Sequence, residues 1–396
     1  RPPRSTLFPY TTLFRSFDSF GMMFFAFVWT CIGGAFFKPI ISAMISRNTT
    51  DETASIGFGI FYMMVNIGGF IGPFFAGIFM QKSWDYVFYM SMVTIGLNFL
   101  ITLFFFKEPQ IQNNKVSLGK NIAQAFYNIW VTLKNWRYVL FLLIMVVFWA
   151  AFNQLYYSFP VFIEQWVDSS EIYKGIESVW PWLAHSIGTA EGTITTVTLT
   201  SMDSFFIIVF QIAVSALVMR FKPLSAMMGG ILVLSGGLMM MFSTQSGWMI
   251  LLGILIFGLG EMSSSPKFTE YVGRIAPPDK KALYMGTSFL PYAGGHALAG
   301  WLSGDIYEKT SDKIYLLQKE IAKRGISLPE ISETYSKNDF FNEAAAKMVM
   351  TKQELTNFIW AEYHPSNIWL VYSGVAVLSV VLLFVYDRFI LRRQQN

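Results

Sequence analysis

Stretches of about twenty predominantly apolar residues recur along most of this chain, and that repetition constrains its fold more than any other feature. A run of that length crosses the hydrocarbon core of a bilayer as a helix. By that measure the sequence holds about nine spans, near residues 19–46, 55–80, 85–106, 138–166, 202–220, 224–243, 247–272, 282–304 and 367–389. Charge is sparse: 14% of the 396 residues are Asp, Glu, Lys or Arg, against about 25% in soluble domains. The expected fold class is all-α integral membrane. A net charge of +4, scattered between the spans, does not suggest a nucleic-acid partner.

Lysine and arginine between the spans set an orientation. One side takes Arg47, the basic residues of 107–137, Arg220 and Lys222, those of 267–281, and Arg388, Arg392 and Arg393. The short linkers opposite hold only Lys82 and Lys174. The C-terminus is therefore expected in the cytoplasm, with the long polar segment 305–366 outside. Within 107–137, Ile122, Phe126, Ile129, Trp130 and Leu133 recur at helical spacing and predict an amphipathic helix on the bilayer surface. Residues 168–201 read as an outside loop, and Asn342 to Phe358 as one soluble helix capping that face.

Catalytic chemistry finds little to build on. Cys31 is the single cysteine, so no internal disulfide forms, and the histidines at 185, 296 and 364 lack zinc-ligand spacing. No enzyme activity, metal or cofactor is expected. What stands out instead is Gly247–Lys267. Fourteen uncharged residues lead to Glu261, followed by three serines, Pro266 and Lys267. A charge at membrane depth is costly and is normally aimed at a partner, cavity or pathway. Gly258, Gly260 and Pro266 loosen the helix around it. The alternative is that Glu261 lies near the helix end and reaches headgroup water.

Several motifs resemble one family. Phe58–Phe70, FGIFYMMVNIGGF, is similar to the signature of the proton-dependent oligopeptide transporters, a branch of the major facilitator superfamily. Gly33–Pro39 (GGAFFKP) resembles that family's fourth helix and Phe148–Gln154 (FWAAFNQ) its seventh. Glu261–Pro266, with Ala276-Pro277 and Met285-Gly286, resembles its tenth and the start of its eleventh. The resemblance implies a twelve-helix fold of which helices four to twelve are visible here, without the helices that carry the family's ExxER motif. Residues 17–106 are then half of the N-terminal bundle, 107–137 the inter-bundle linker and 138–396 the C-terminal six-helix bundle. Residues 1–16 resemble translated sequencing-adapter peptide and are expected to be foreign.

The resemblance also implies roles. Glu261 would receive the amino terminus of a peptide, and Asn66 its backbone. Tyr62, Phe148, Trp149 and Gln154 would line the substrate site. Lys38, Glu261, Asp203 and His296 are the candidates for proton coupling. Each has a plainer reading: Lys38 reaching the interface, Asn66 bridging two helices, the aromatics packing a core or facing lipid, His296 held neutral by a hydrogen bond. Five positions depart from the family pattern: Asn153 for an acid, Asp203-Ser204 for Asn-Pro, Ser288 for tryptophan and His296 for asparagine. They leave substrate identity open. The expected activity is proton-coupled symport of di- and tripeptides by alternating access. The alternatives are another small zwitterionic or anionic solute, or a fragment that does not transport as written. The expected partners are a small peptide, protons as the coupling ion, and the lipid bilayer. The expected protein is a monomer, multi-pass in a bacterial plasma (inner) membrane.

Overall fold

A computed structural model describes residues 54–80, 83–105, 118–277, 280–332 and 334–391, with scattered positions between 21 and 49. Lys38 and half of the span expected at 19–46 lie outside the described residues. What is described is helical throughout, with two isolated β-bridges and no strand.

Among the described residues, seven stretches are long and apolar enough to cross a membrane: Gly59–Phe79, Asp85–Phe104, Trp136–Trp166, Thr196–Val218, Pro223–Phe242, Gly247–Ile275 and Pro365–Leu391. They belong to helices α1 (Ala54–Met80) and α2 (Trp84–Phe105), and to α4 (Trp136–Phe152), which continues through α5 (Gln154–Tyr157) into α6 (Phe159–Trp166). After these come α9 (Thr196–Val218), α10 (Pro223–Phe242), α11 (Gly247–Ile275) and α18 (Ile368–Val385). The span expected at 282–304 is broken. It forms α12 (Lys281–Thr287) and α13 (Leu290–Trp301), separated at Ser288-Phe289 just before Pro291, then a π-helical turn over Leu302–Ile306. Proline has no N–H to continue a helix, which accounts for the break.

Packing runs as a chain of neighbours: α2 on α1, α1 on α9, α9 on α11, α11 on α10, α10 on α18, α18 on α4 and α4 on α13. α4 is the most buried span, with Phe141, Met145, Phe148, Ala150 and Ala151 fully inside. α2 instead turns Tyr89, Met92, Phe99 and Phe104 outward, as a lipid-facing helix does. The amphipathic helix expected within 107–137 is α3 (Leu118–Leu133), with Phe126 and Trp130 largely exposed on one flank.

Two expectations are corrected. Residues 168–201 are not simply a loop: they fold into α7 (Ser170–Val179) and α8 (Pro181–Ile187). Ile172 and Tyr173 of α7 are buried, and burying that stripe is what holds the helix down. The single helix expected from Asn342 to Phe358 is two, α16 (Lys337–Lys347) and α17 (Lys352–Tyr363). Val349 between them takes φ 55°. Thr351 and Glu354 then form a capping box, satisfying the first free N–H groups of a new helix. With α14 (Tyr307–Ser311) and α15 (Lys313–Arg324), these helices make a cap. It is tied to α6 by Trp166 Nε1 donating to Ser311 O at 2.9 Å and Gln165 Nε2 donating to Asp312 at 2.7 Å.

Candidate functional site

Glycine brings the site together. α10 and α11 meet through Gly230, Gly237 and Gly260; a Cβ on Gly230 would stand 2.8 Å from Gly260 O. Small residues at such contacts let two backbones approach within a membrane. Gly258 does the same toward α9, since a Cβ there would stand 3.0 Å from Asp203 Oδ1. Glu261 follows three residues later on the same side of α11. Asp203 and Glu261 are thus neighbours across the α9–α11 seam, 1% and 3% exposed.

Tyr62, reaching over from α1, donates its hydroxyl hydrogen to Glu261 Oε1. Glu261 Oε2 and both Asp203 carboxyl oxygens are buried with no hydrogen-bond partner. Tyr156 on α5 lies within electrostatic range of both carboxyl groups, and Tyr292 on α13 within range of Glu261. Neither tyrosine was among the residues picked out in the sequence. Tyr156 lies two residues beyond the FWAAFNQ motif, a weak signal; Tyr292 offers none, because only the break between α12 and α13 turns it inward. Its ring stacks on Trp149 at 3.9 Å between centroids.

Two cavities flank the pair. One of about 110 Å³ is lined by Tyr62 and Val65 of α1, Ser265 and Pro266 of α11, and Ser288 and Tyr292. The other, about 450 Å³, is lined by Phe70 and Phe74 of α1, Thr198, Ser201 and Met202 of α9, and residues of the α7–α8 hairpin. On α1 the first takes residues 61–65 and the second 70–77. Tyr62, on the smaller cavity, bonds Glu261, and Ser201 and Met202, on the larger, directly precede Asp203, so the carboxyl groups lie between the two cavities without lining either.

The other candidates fall elsewhere. Asn66 donates to Tyr62 O of its own helix at 2.9 Å. Phe148 is fully buried beside Trp149 and Phe152, a core position. Trp149 is buried with its Nε1 unpartnered. Gln154 is fully buried and donates to Ala150 O at 3.0 Å while accepting from Ser158 at 2.7 Å, so it joins α4 to α6. His296 is exposed and meets Tyr157 at 3.4 Å; no described contact joins it to the pair. Lys267, counted above among boundary charges, is instead buried and paired with Glu270 at 2.7 Å. Among the described residues no cluster of His, Cys, Asp and Glu is arranged to hold a metal.

The described residues thus hold seven apolar spans and two neighbouring buried carboxyl groups. Residues 5–300 match the family model of the Major Facilitator Superfamily, and the chain belongs to that family of transporters. It is 22% identical over 303 residues to an uncharacterized MFS-type transporter of Bacillus subtilis, covering 76% of this chain and 68% of that one. It is 18% identical over 288 residues to a Na(+), Li(+), K(+)/H(+) antiporter of Planococcus maritimus, covering 70% and 66%. The chain thus spans about two thirds of the length of these curated relatives. In structure it resembles a POT family transporter crystallised with 5-aminolevulinic acid, with TM-score 0.54 and 14% identity over 88% of this chain and 72% of that one.

Proposed function

We propose that this chain is part of a proton-coupled carrier of small ammonium-bearing solutes, short peptides first among them, working by alternating access. The observation that carries the reading is Glu261, buried behind Tyr62 of the smaller cavity, with one oxygen held by that tyrosine and the other without a partner. An ammonium group supplies the missing donors and the compensating charge at once. The motifs at 58–70 and 261–266, and the likeness to a carrier that binds a small amino acid, support the same reading. In this proposal residues 17–106 and 138–396 belong to the two bundles, α3 lies on the cytoplasmic surface and the 305–366 cap faces outward. Ser288 leaves room in the smaller cavity where the family pattern has a large ring.

Binding of labelled dialanine to the purified chain tests this. Glu261→Gln removes a charge-assisted hydrogen bond of about 1.5–3 kcal/mol, so affinity should fall roughly ten- to a hundredfold. Wild-type chain that binds no dialanine, or Glu261→Gln that binds it equally well, refutes the assignment. A second reading, exchange of an alkali cation for protons, is favoured by the two adjacent carboxyl groups without a described cationic partner and by the similarity to a cation/proton antiporter. Sodium- or potassium-driven proton movement in proteoliposomes, with no dialanine binding, would select it.

A further inference from the structure

Asp203 and Glu261 pose an electrostatic problem that the residues around them do not solve. Tyr62 bonds Glu261 from α1, Tyr156 on α5 and Tyr292 on α13 lie within electrostatic range, and Asp203 abuts Gly258, one turn before Glu261, across the α9–α11 seam. Gly258 offers only backbone. Among the described residues no lysine, arginine or histidine pairs with either carboxyl group. Tyr62 supplies a single donor, and three oxygens (Glu261 Oε2, Asp203 Oδ1 and Oδ2) have none. Two carboxyl groups this close and this buried do not both ionise without compensation.

Two things can compensate. One proton between the groups converts the contact into an O–H···O hydrogen bond and leaves one negative charge. An ammonium group does the same work differently: three N–H donors meet the three unpartnered oxygens, and its charge balances the second carboxylate. Net charge at the site is unchanged, so cation and proton are alternatives at one place. We propose that Asp203 and Glu261 share a single proton while the site is empty, and that an entering ammonium cation takes its place.

This inference rests on the reading of Glu261 as an ammonium site and adds the sense of the coupling. The only bond broken is the carboxyl O–H, and the proton leaves to water. Tyr62, which bonds Glu261, also lines the smaller cavity and gives the released proton a path toward water. Tyr156, 54% exposed, leaves one wall open, and the tyrosine rings suit an organic ammonium through cation–π attraction. The pair therefore runs as an exchanger, ammonium against proton, where the sequence resemblance suggested symport. Asp203 is the residue that sets this sense, since Glu261 alone could bind an ammonium without giving up a proton.

The test uses the whole purified chain in weakly buffered detergent, with methylammonium chloride as probe. Infrared difference spectra and a pH dye read the protonated carboxyl and the released proton. The expected result is a protonated-carboxyl band that methylammonium discharges with proton release. Methylammonium affinity should rise about tenfold per pH unit while the pair holds its proton. Asp203→Asn, nearly isosteric, should lose the band, the release and the pH dependence. A missing band in wild type, or one that persists in saturating methylammonium, overturns the proposal. Equal discharge by potassium chloride overturns the ammonium assignment. Discharge by methylammonium but not by dialanine upholds the exchange and instead rejects peptides as the substrate.

Discussion

At Gly260 a hydrogen in place of a side chain decides how near α10 and α11 come. A Cβ there would fall on backbone atoms of Leu234 and Gly230, which cannot swing aside as a flexible side chain can. Gly236, on α10, has nothing within 4 Å of the same position. Gly260→Ala should cost about 1–3 kcal/mol by overpacking, and Gly236→Ala close to nothing. Thermal unfolding in detergent would show it, and equal Tm values for the two variants would sink the argument. Glu261 was legible in sequence because a carboxylate after fourteen apolar residues breaks the pattern. Asp203 was legible as a departure from a motif. Their partnership was not, because it depends on residues 58 positions apart being brought together where α9 and α11 meet at Gly258, a long-range contact that no local spacing encodes. Phe148 and Gln154 are fully buried, and motif residues that face the core look no different in sequence from those that face a cavity.

Among the elements, the 305–366 cap holds a lysine in an unusual setting. Lys313 lies 5.0 Å from the Trp166 ring centroid and 5.3 Å from that of Phe341, and donates to Thr356 Oγ1 at 3.2 Å. Burial lowers its pKa from 10.5 to about 8, because a desolvated ammonium is disfavoured. The folded cap therefore holds this proton less tightly than the unfolded chain does. Unfolding takes up a proton between about pH 8 and the ordinary lysine value, so the cap is penalised below pH 8 and gains stability as pH rises through that window. Hydrogen exchange in α15, corrected for intrinsic rates, should slow between about pH 8 and 9.5. Lys313→Met should remove that trend, and a flat wild-type profile would contradict it. The sequence predicted a polar, helical cap but joined α16 and α17 into one helix. The Thr351–Glu354 capping box was there to be read; α-helical periodicity across 342–358 masked it. The amphipathic α3 was legible because it is local, whereas the hairpin α7–α8 gains its order from burying Ile172 and Tyr173.

For the whole molecule, the informative contact is the antiparallel pair α1 and α9. A Cβ on Gly69 would stand 3.3 Å from Ser204 Oγ, Phe70 and Phe205 have ring centroids 5.6 Å apart, and a Cβ on Gly59 would stand 3.4 Å from Ser215 Oγ. The seam is therefore closed along about ten residues of α1. Under the proposed two-bundle division, α1 and α9 come from opposite bundles, so alternating access must part them at one end and then the other. Cysteines at 69 and 204, or at 59 and 215, are near enough for a disulfide with little backbone movement. The background carries Cys31→Ser, because the native thiol is exposed. Oxidation of either pair should cross-link readily, and each cross-link should abolish dialanine-dependent proton movement in proteoliposomes until reductant restores it. Binding of dialanine should survive the cross-link, because Glu261, Asp203 and Tyr62 keep their places when the seam is held shut. A cross-linked protein that still turns over would mean that α1 and α9 move as one body, and the line dividing the two bundles would have to be drawn elsewhere.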